Sequence, residues 1–126
     1  MMNGNTLFLI ILLMTCHWLA DFTHLSTTYM LKAKSKGSPL FPIFLHVCVH
    51  GFLMMCVLFF FTPNLKILLF LTSFEIITHF LLDTFKGKLN TWYPNLQSPT
   101  NSFHWYIFGV DQFCHQLVIL LIVFMI

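Results

Sequence analysis

The sequence predicts an all-α protein, a four-helix transmembrane bundle running up-down-up-down within one integral membrane domain over residues 1–126. Three observations predict it. Of its residues 58% are apolar and only 8% charged, where an ordinary soluble domain carries about 25% charged residues. The apolar residues gather into four runs, each near the roughly 20 residues a helix needs to cross a hydrocarbon core. Only Thr62, Pro63 and Asn64 join the second run to the third, which makes those two an antiparallel hairpin.

The first span, TLFLIILLMTCHWLADF from Thr6, is expected to continue through Thr28. No charge precedes Asp21 and no small-x-small pattern follows the apolar core, so it reads as a span, not as a cleaved signal. The second span is expected at Pro39 to Phe61, the third at Asn64 to Asp83 and the fourth at Tyr106 to Ile126. Two longer connections, LKAKSKGSP and the stretch from Phe85 to Trp105, read as loops. The second holds TWYP and HWY, aromatic residues suited to the membrane interface.

Lys32, Lys34, Lys36, Lys86 and Lys88 fall in those two connections, on one side of such a bundle, and Lys66 falls on the other. The positive-inside rule then places the longer connections in the cytoplasm and both termini outside it. A net charge of +2 is too small for a nucleic-acid partner. The partners expected are the bilayer and an anionic lipid, and the apolar surface, including Phe59 to Phe61, suits lipid or a homodimer equally. Cys16, Cys48, Cys56 and Cys114 lie within apolar runs without C-x-x-C spacing and read as small packing residues.

The informative residues are the ionisable ones. His17 and Asp21, His46 and His50, His79 and Asp83, and Asp111 and His115 give every span one pair at i, i+4, the spacing that puts two side chains on one helical face. The pairs come late in the spans that run toward the lysine side and early in those that leave it, so all eight converge at one depth. Glu75, one turn before His79, extends the stripe deeper, and His24 extends it toward the loop. A lone histidine near an interface is ordinarily a satisfied polar side chain, and one Asp-His pair can simply join two helices. Eight such groups at one level call for another account, because ionisable residues inside spans face protein or water and mark function. Carboxylates with neutral imidazoles are a ligand set for a divalent transition metal, zinc, manganese or iron. Eight ligands exceed one tetrahedral zinc and suit two ions sharing a bridge.

HWLADF, LHVCVH, HFLLDTFK and DQFCH, taken together, resemble an uncharacterised family of small multi-spanning membrane proteins from bacteria and their phages. Its members share the order H-x-x-A-D-F, H-x-x-x-H, H-x-x-x-D-x-x-K and D-Q-x-x-H, and the likeness runs from His17 to about Gln116. Where members often carry glutamine four residues after the first aspartate, this chain has Leu25. A looser similarity is to membrane-bound metal-dependent hydrolases. The resemblance implies a multi-pass protein of the bacterial inner membrane and supplies no reaction.

A metal site under a lysine-bearing face suggests hydrolysis of a phosphorylated lipid or another membrane-proximal phosphoester. His17, Asp21, His46, His50, His79, Asp83, Asp111 and His115 are then metal ligands, Glu75 a base or deeper ligand, and Lys86 an anion-binding residue, with Lys32 or Lys34 at the mouth. The alternatives are a proton or metal-ion transporter, which needs polar groups through the whole thickness, and a metal-stapled structural or membrane-perturbing protein.

Overall fold

The computed structural model describes residues 4–126, and among these the regular structure is wholly helical: α1 (Gly4–Phe22), α2 (Thr28–Lys36), α3 (Leu40–Leu58), α4 (Leu65–Trp92) and α5 (Ser102–Phe124), with a 3-10 turn over Pro94–Gln97. The all-α fold class is as expected. Helices α1, α3, α4 and α5 are long and apolar enough to cross a membrane. They form a ring in which α1 and α4 each pack against α3 and α5, while neither diagonal pair makes contact among the described residues.

Three boundaries differ from expectation. The first helix stops at Phe22 and does not reach Thr28, because the polar side chains that follow capture the backbone. The Thr23 hydroxyl bonds the Leu19 carbonyl, Ser26 Oγ donates to the Ala20 carbonyl at 2.6 Å, and Thr27 Oγ1 accepts from Met30 N as the N-cap of the next helix. That helix, α2, stands where a loop was expected. It ends at Gly37, whose φ of 68° is the left-handed C-cap conformation that glycine adopts without strain.

The third difference is the length of α4, which continues nine residues past Asp83, to Trp92. Gly87, which reads as a loop residue in sequence, sits here at a close approach: a Cβ on it would overlap Gly37 N and the Lys34 carbonyl. Helix α2 therefore lies directly against the extension of α4, and Thr91 Oγ1 donates to the Lys36 carbonyl at 2.8 Å. At the other end of this connection Asn101 caps α5 by accepting from Phe103 N, starting that helix at Ser102, not at Tyr106.

The ring has two unlike halves. Near the α3–α4 turn the interior is a cluster of Leu9, Leu13, Met54, Leu58, Leu68, Leu71, Ile119 and Ile122. In lipid such a cluster holds helices by close packing rather than by excluding water. One turn below the polar residues, Gly51 brings α3 close to α4, since a Cβ there would lie 2.5 Å from Ile76 Cγ1. The opposite half, toward α2, is filled by ionisable side chains.

Candidate metal centre

Each span contributes an inward stripe to this half: His17 and Asp21 from α1, His46 and His50 from α3, Glu75, His79 and Asp83 from α4, and Asp111 and His115 from α5. No side chain among them is more than 10% exposed. Asp83 lies at the centre. Its Oδ2 is 3.4 Å from both His46 Nε2 and His79 Nε2, and its Oδ1 is 3.3 Å from His115 Nε2. Asp21 Oδ1 is 3.0 Å from His46 Nε2 and 3.2 Å from His50 Nε2, and Asp21 Oδ2 is 3.4 Å from His17 Nε2. The imidazoles crowd together, with ring centroids 3.9 Å apart for His50 and His79 and 4.0 Å for His79 and His115.

Two hydrogen bonds fix which nitrogens face inward. Ser26 Oγ spends its only proton on the Ala20 carbonyl, so at 2.7 Å it accepts from His46 Nδ1–H. Neutral His46 then presents the Nε2 lone pair to the cluster. Glu75 Oε1 lies 3.1 Å from His79 Nδ1; a carboxylate accepts, which leaves His79 Nε2 as the inward lone pair. Such outer partners are what metal-ligating histidines ordinarily have.

The inward atoms lack partners of their own. Both ring nitrogens of His17, Nε2 of His79 and His115, both oxygens of Asp83 and Oδ1 of Asp111 are buried without a hydrogen bond. Buried lone pairs facing one another are costly, and a cation among them satisfies several at once. Three overlapping groups have donor atoms all within 4.8 Å of one another: His17, His50, Glu75 and His79; Asp21, His46, His50 and His79; and His79, Asp83 and His115. These buried groups could hold a metal ion.

A lysine also enters the cluster. Lys34 Nζ, carried by α2, is 2.6 Å from Asp21 Oδ1, 3.3 Å from Asp83 Oδ1 and 3.1 Å from His46 Nε2. Burial pushes its pKa down, but Asp83 and Asp21 outweigh burial and hold it above the usual lysine range, so it is an ammonium. Lys86 Nζ lies 3.2 Å from Asp111 Oδ2 and over the Phe108 ring. With neutral imidazoles, the four carboxylates against two ammonium groups leave two negative charges, a deficit that one dication would cancel.

A sequence model described as "Protein of unknown function (DUF3307)" matches residues 8–126. The chain belongs to this family. No curated protein and no solved structure matches it. The DUF3307 region contains every member of the cluster.

Of the eight ligand candidates in this DUF3307 chain, seven fall in the three groups; Asp111 stands at their edge, 3.5 Å from His115 Nε2 and tied to Lys86. Glu75 sits behind His79. His24 does not extend the stripe: it is exposed in the turn after α1, because the helix ends before reaching it. The residues that sequence reasoning missed are Ser26 and the inward placement of Lys34, which read as a residue of the mouth. The signal for Lys34 was present. At about 100° per residue, Lys32 and Lys36 share a helical face while Lys34 points nearly opposite, on the side of Ala33 and Gly37. Lys32 and Lys36 are exposed and Lys34 is buried.

Proposed function

We propose that this protein is a membrane-embedded metal-dependent hydrolase that acts on a phosphorylated lipid or another membrane-proximal phosphoester. One observation carries the reading: seven buried histidine and aspartate side chains, with several partnerless lone pairs, converge on one small volume. Two ions are favoured over one. His79 belongs to all three ligand groups yet has a single free nitrogen, and the two oxygens of Asp83 face different histidines, as suits a bridging carboxylate. The histidine excess favours zinc, manganese or iron over magnesium or calcium.

Ions in such a site acidify water and polarise a phosphoryl oxygen. The chain's own residues supply the rest. Ser26 and Glu75 hold His46 and His79 in the tautomers that present Nε2. Lys34 and Lys86 place ammonium groups at the outer edge, where an anionic oxygen arrives. Because five of the six lysines lie at that end, the positive-inside rule favours a site facing the cytoplasm of a bacterial inner membrane.

The test is metal analysis of purified protein followed by assay against lipid and soluble phosphoesters. The expected result is close to two equivalents of transition metal, and turnover that Asp83→Asn abolishes while the bundle stays folded. Less than about half an equivalent, with no recovery after adding zinc, manganese or iron, would defeat the reading.

A further inference from the structure

Two cavities adjoin the lysine edge. The first, of about 320 Å³, lies between α2, α4, the 3-10 turn and α5, with Lys34, Lys86, Asn90, Gln97 and His104 in its wall. That is about ten times a water molecule's share of liquid volume, more than a bare phosphate fills. His104 has committed Nδ1–H to the Leu96 carbonyl at 2.6 Å, so Nε2 is its remaining polar atom. The second, of about 160 Å³, is an apolar groove between α4 and α5, lined by Leu82, Phe85, Leu89, Val110 and Cys114 among others. Phe85 and Val110 are exposed on the outside of the ring, so this groove opens sideways, where a membrane protein meets lipid.

The two cavities share Lys86 and Ile107. A cationic chamber thus continues into an apolar slot, and Lys34 connects the chamber to Asp21 and Asp83. Other apolar hollows, such as the one beside Phe8, Cys56 and Phe60, adjoin no cation.

We propose that chamber and groove together bind one lipid with an anionic phosphate headgroup, the headgroup among Lys34, Lys86 and His104 and the start of one hydrocarbon chain along Phe85, Leu89 and Val110. This rests on the metal reading above in one respect. The cluster's own carboxylates neutralise Lys34 and Lys86, so the chamber attracts an anion only once dications are bound. Two dications turn the local deficit of two negative charges into an excess of two positive ones.

Native mass spectrometry of the metal-loaded protein in neutral detergent tests the site, with phosphatidic acid, phosphatidylcholine of the same chains and inorganic phosphate as probes. Phosphatidic acid should bind at one equivalent, about tenfold or more tighter than either of the others, and chelation should remove the preference. Val110→Trp fills the groove from its lipid-facing side and Ile107→Phe narrows it. Each should weaken phosphatidic acid by about tenfold, equivalent to losing contact with about two methylene groups, with metal content unchanged. Lys86→Met should bring phosphatidic acid close to phosphatidylcholine. Equal binding of the two lipids overturns the site, and so does inorganic phosphate matching phosphatidic acid with both groove variants silent. If lipid binding fails while soluble phosphoesters are cleaved, the hydrolase stands and the lipid site falls. Selective lipid binding without turnover of any phosphoester leaves the site standing and removes the hydrolase.

Discussion

Replacing Lys34 by methionine separates a structural ion pair from a counter-charge that shares its place with a metal. Methionine keeps the length and the packing against Ala33 and α4 but removes the ammonium that lies 2.6 Å from Asp21 and 3.3 Å from Asp83. Both carboxylates stay buried, and stripping one partner from a buried ion pair costs about 3–5 kcal/mol. For a chain of this size each kcal/mol shifts the melting temperature by about 3–5 °C, so in chelator Lys34→Met should melt at least 10 °C below the parent protein. With saturating metal the dications supply the missing charge, and the loss should shrink to about 1 kcal/mol. Linkage requires the difference, about 2–4 kcal/mol, to reappear as tighter metal binding, roughly 30-fold or more. Thermal unfolding with and without metal, paired with competition against a chelator of known affinity, measures both sides of this cycle. An equal drop in melting temperature under both conditions, with metal affinity unchanged, would refute the placement of Lys34 as the charge that a dication replaces.

The remaining predictions concern how the cluster is held. Ser26→Ala removes the acceptor for His46 Nδ1–H and frees the other tautomer; metal affinity should fall about 10–100-fold while the melting temperature in chelator hardly moves. Gly87→Ala puts a methyl group into the Gly37 and Lys34 backbone, costing about 1–3 kcal/mol; hydrogen exchange should show amides 29–37 opening faster while those around the apolar cluster keep their protection. A reporter cysteine at Ser35, in a background without Cys16, Cys48, Cys56 and Cys114, should be labelled from the cytoplasmic side, and labelling from outside would reverse the orientation.

What the sequence revealed and what it concealed divide along a physical line. The four spans and their i, i+4 pairs were legible because helical period and hydrophobic length are local properties, and a short hairpin turn plus alternating direction fixes depth without any coordinates. Helix α2 was hidden because its composition, K-A-K-S-K-G, matches an exposed loop, and its stability comes from Gly37 meeting Gly87 and from Lys34 meeting acids on α1 and α4. Those contacts are tertiary. Ser26 was equally invisible: a serine in a turn gains a role only when the end of α1 brings it beside His46. The same holds for Gly87, where a weak helix former marks not the end of α4 but the place where another backbone must pass.

The uneven distribution of polar groups across the bundle bears on what the site does. A transporter needs a hydrated or polar route through the whole hydrocarbon thickness. Below the histidines the interior is Leu9, Leu13, Met54, Leu58, Leu68, Leu71, Ile119 and Ile122. Thr72, buried beside them, spends its hydroxyl on the Leu68 carbonyl of its own helix at 2.9 Å, so it offers a passing proton or ion little. A purely structural metal needs neither a cavity nor cations beside it, whereas here Lys34 and Lys86 both touch the cluster and both line a chamber of about 320 Å³. Burying two ammonium groups at the rim of a ligand cluster opposes metal binding through repulsion, and a staple selected for stability would dispense with them. They make sense where a third, anionic party arrives, which is the condition under which a metal centre at one end of a dry bundle does chemistry rather than conduction.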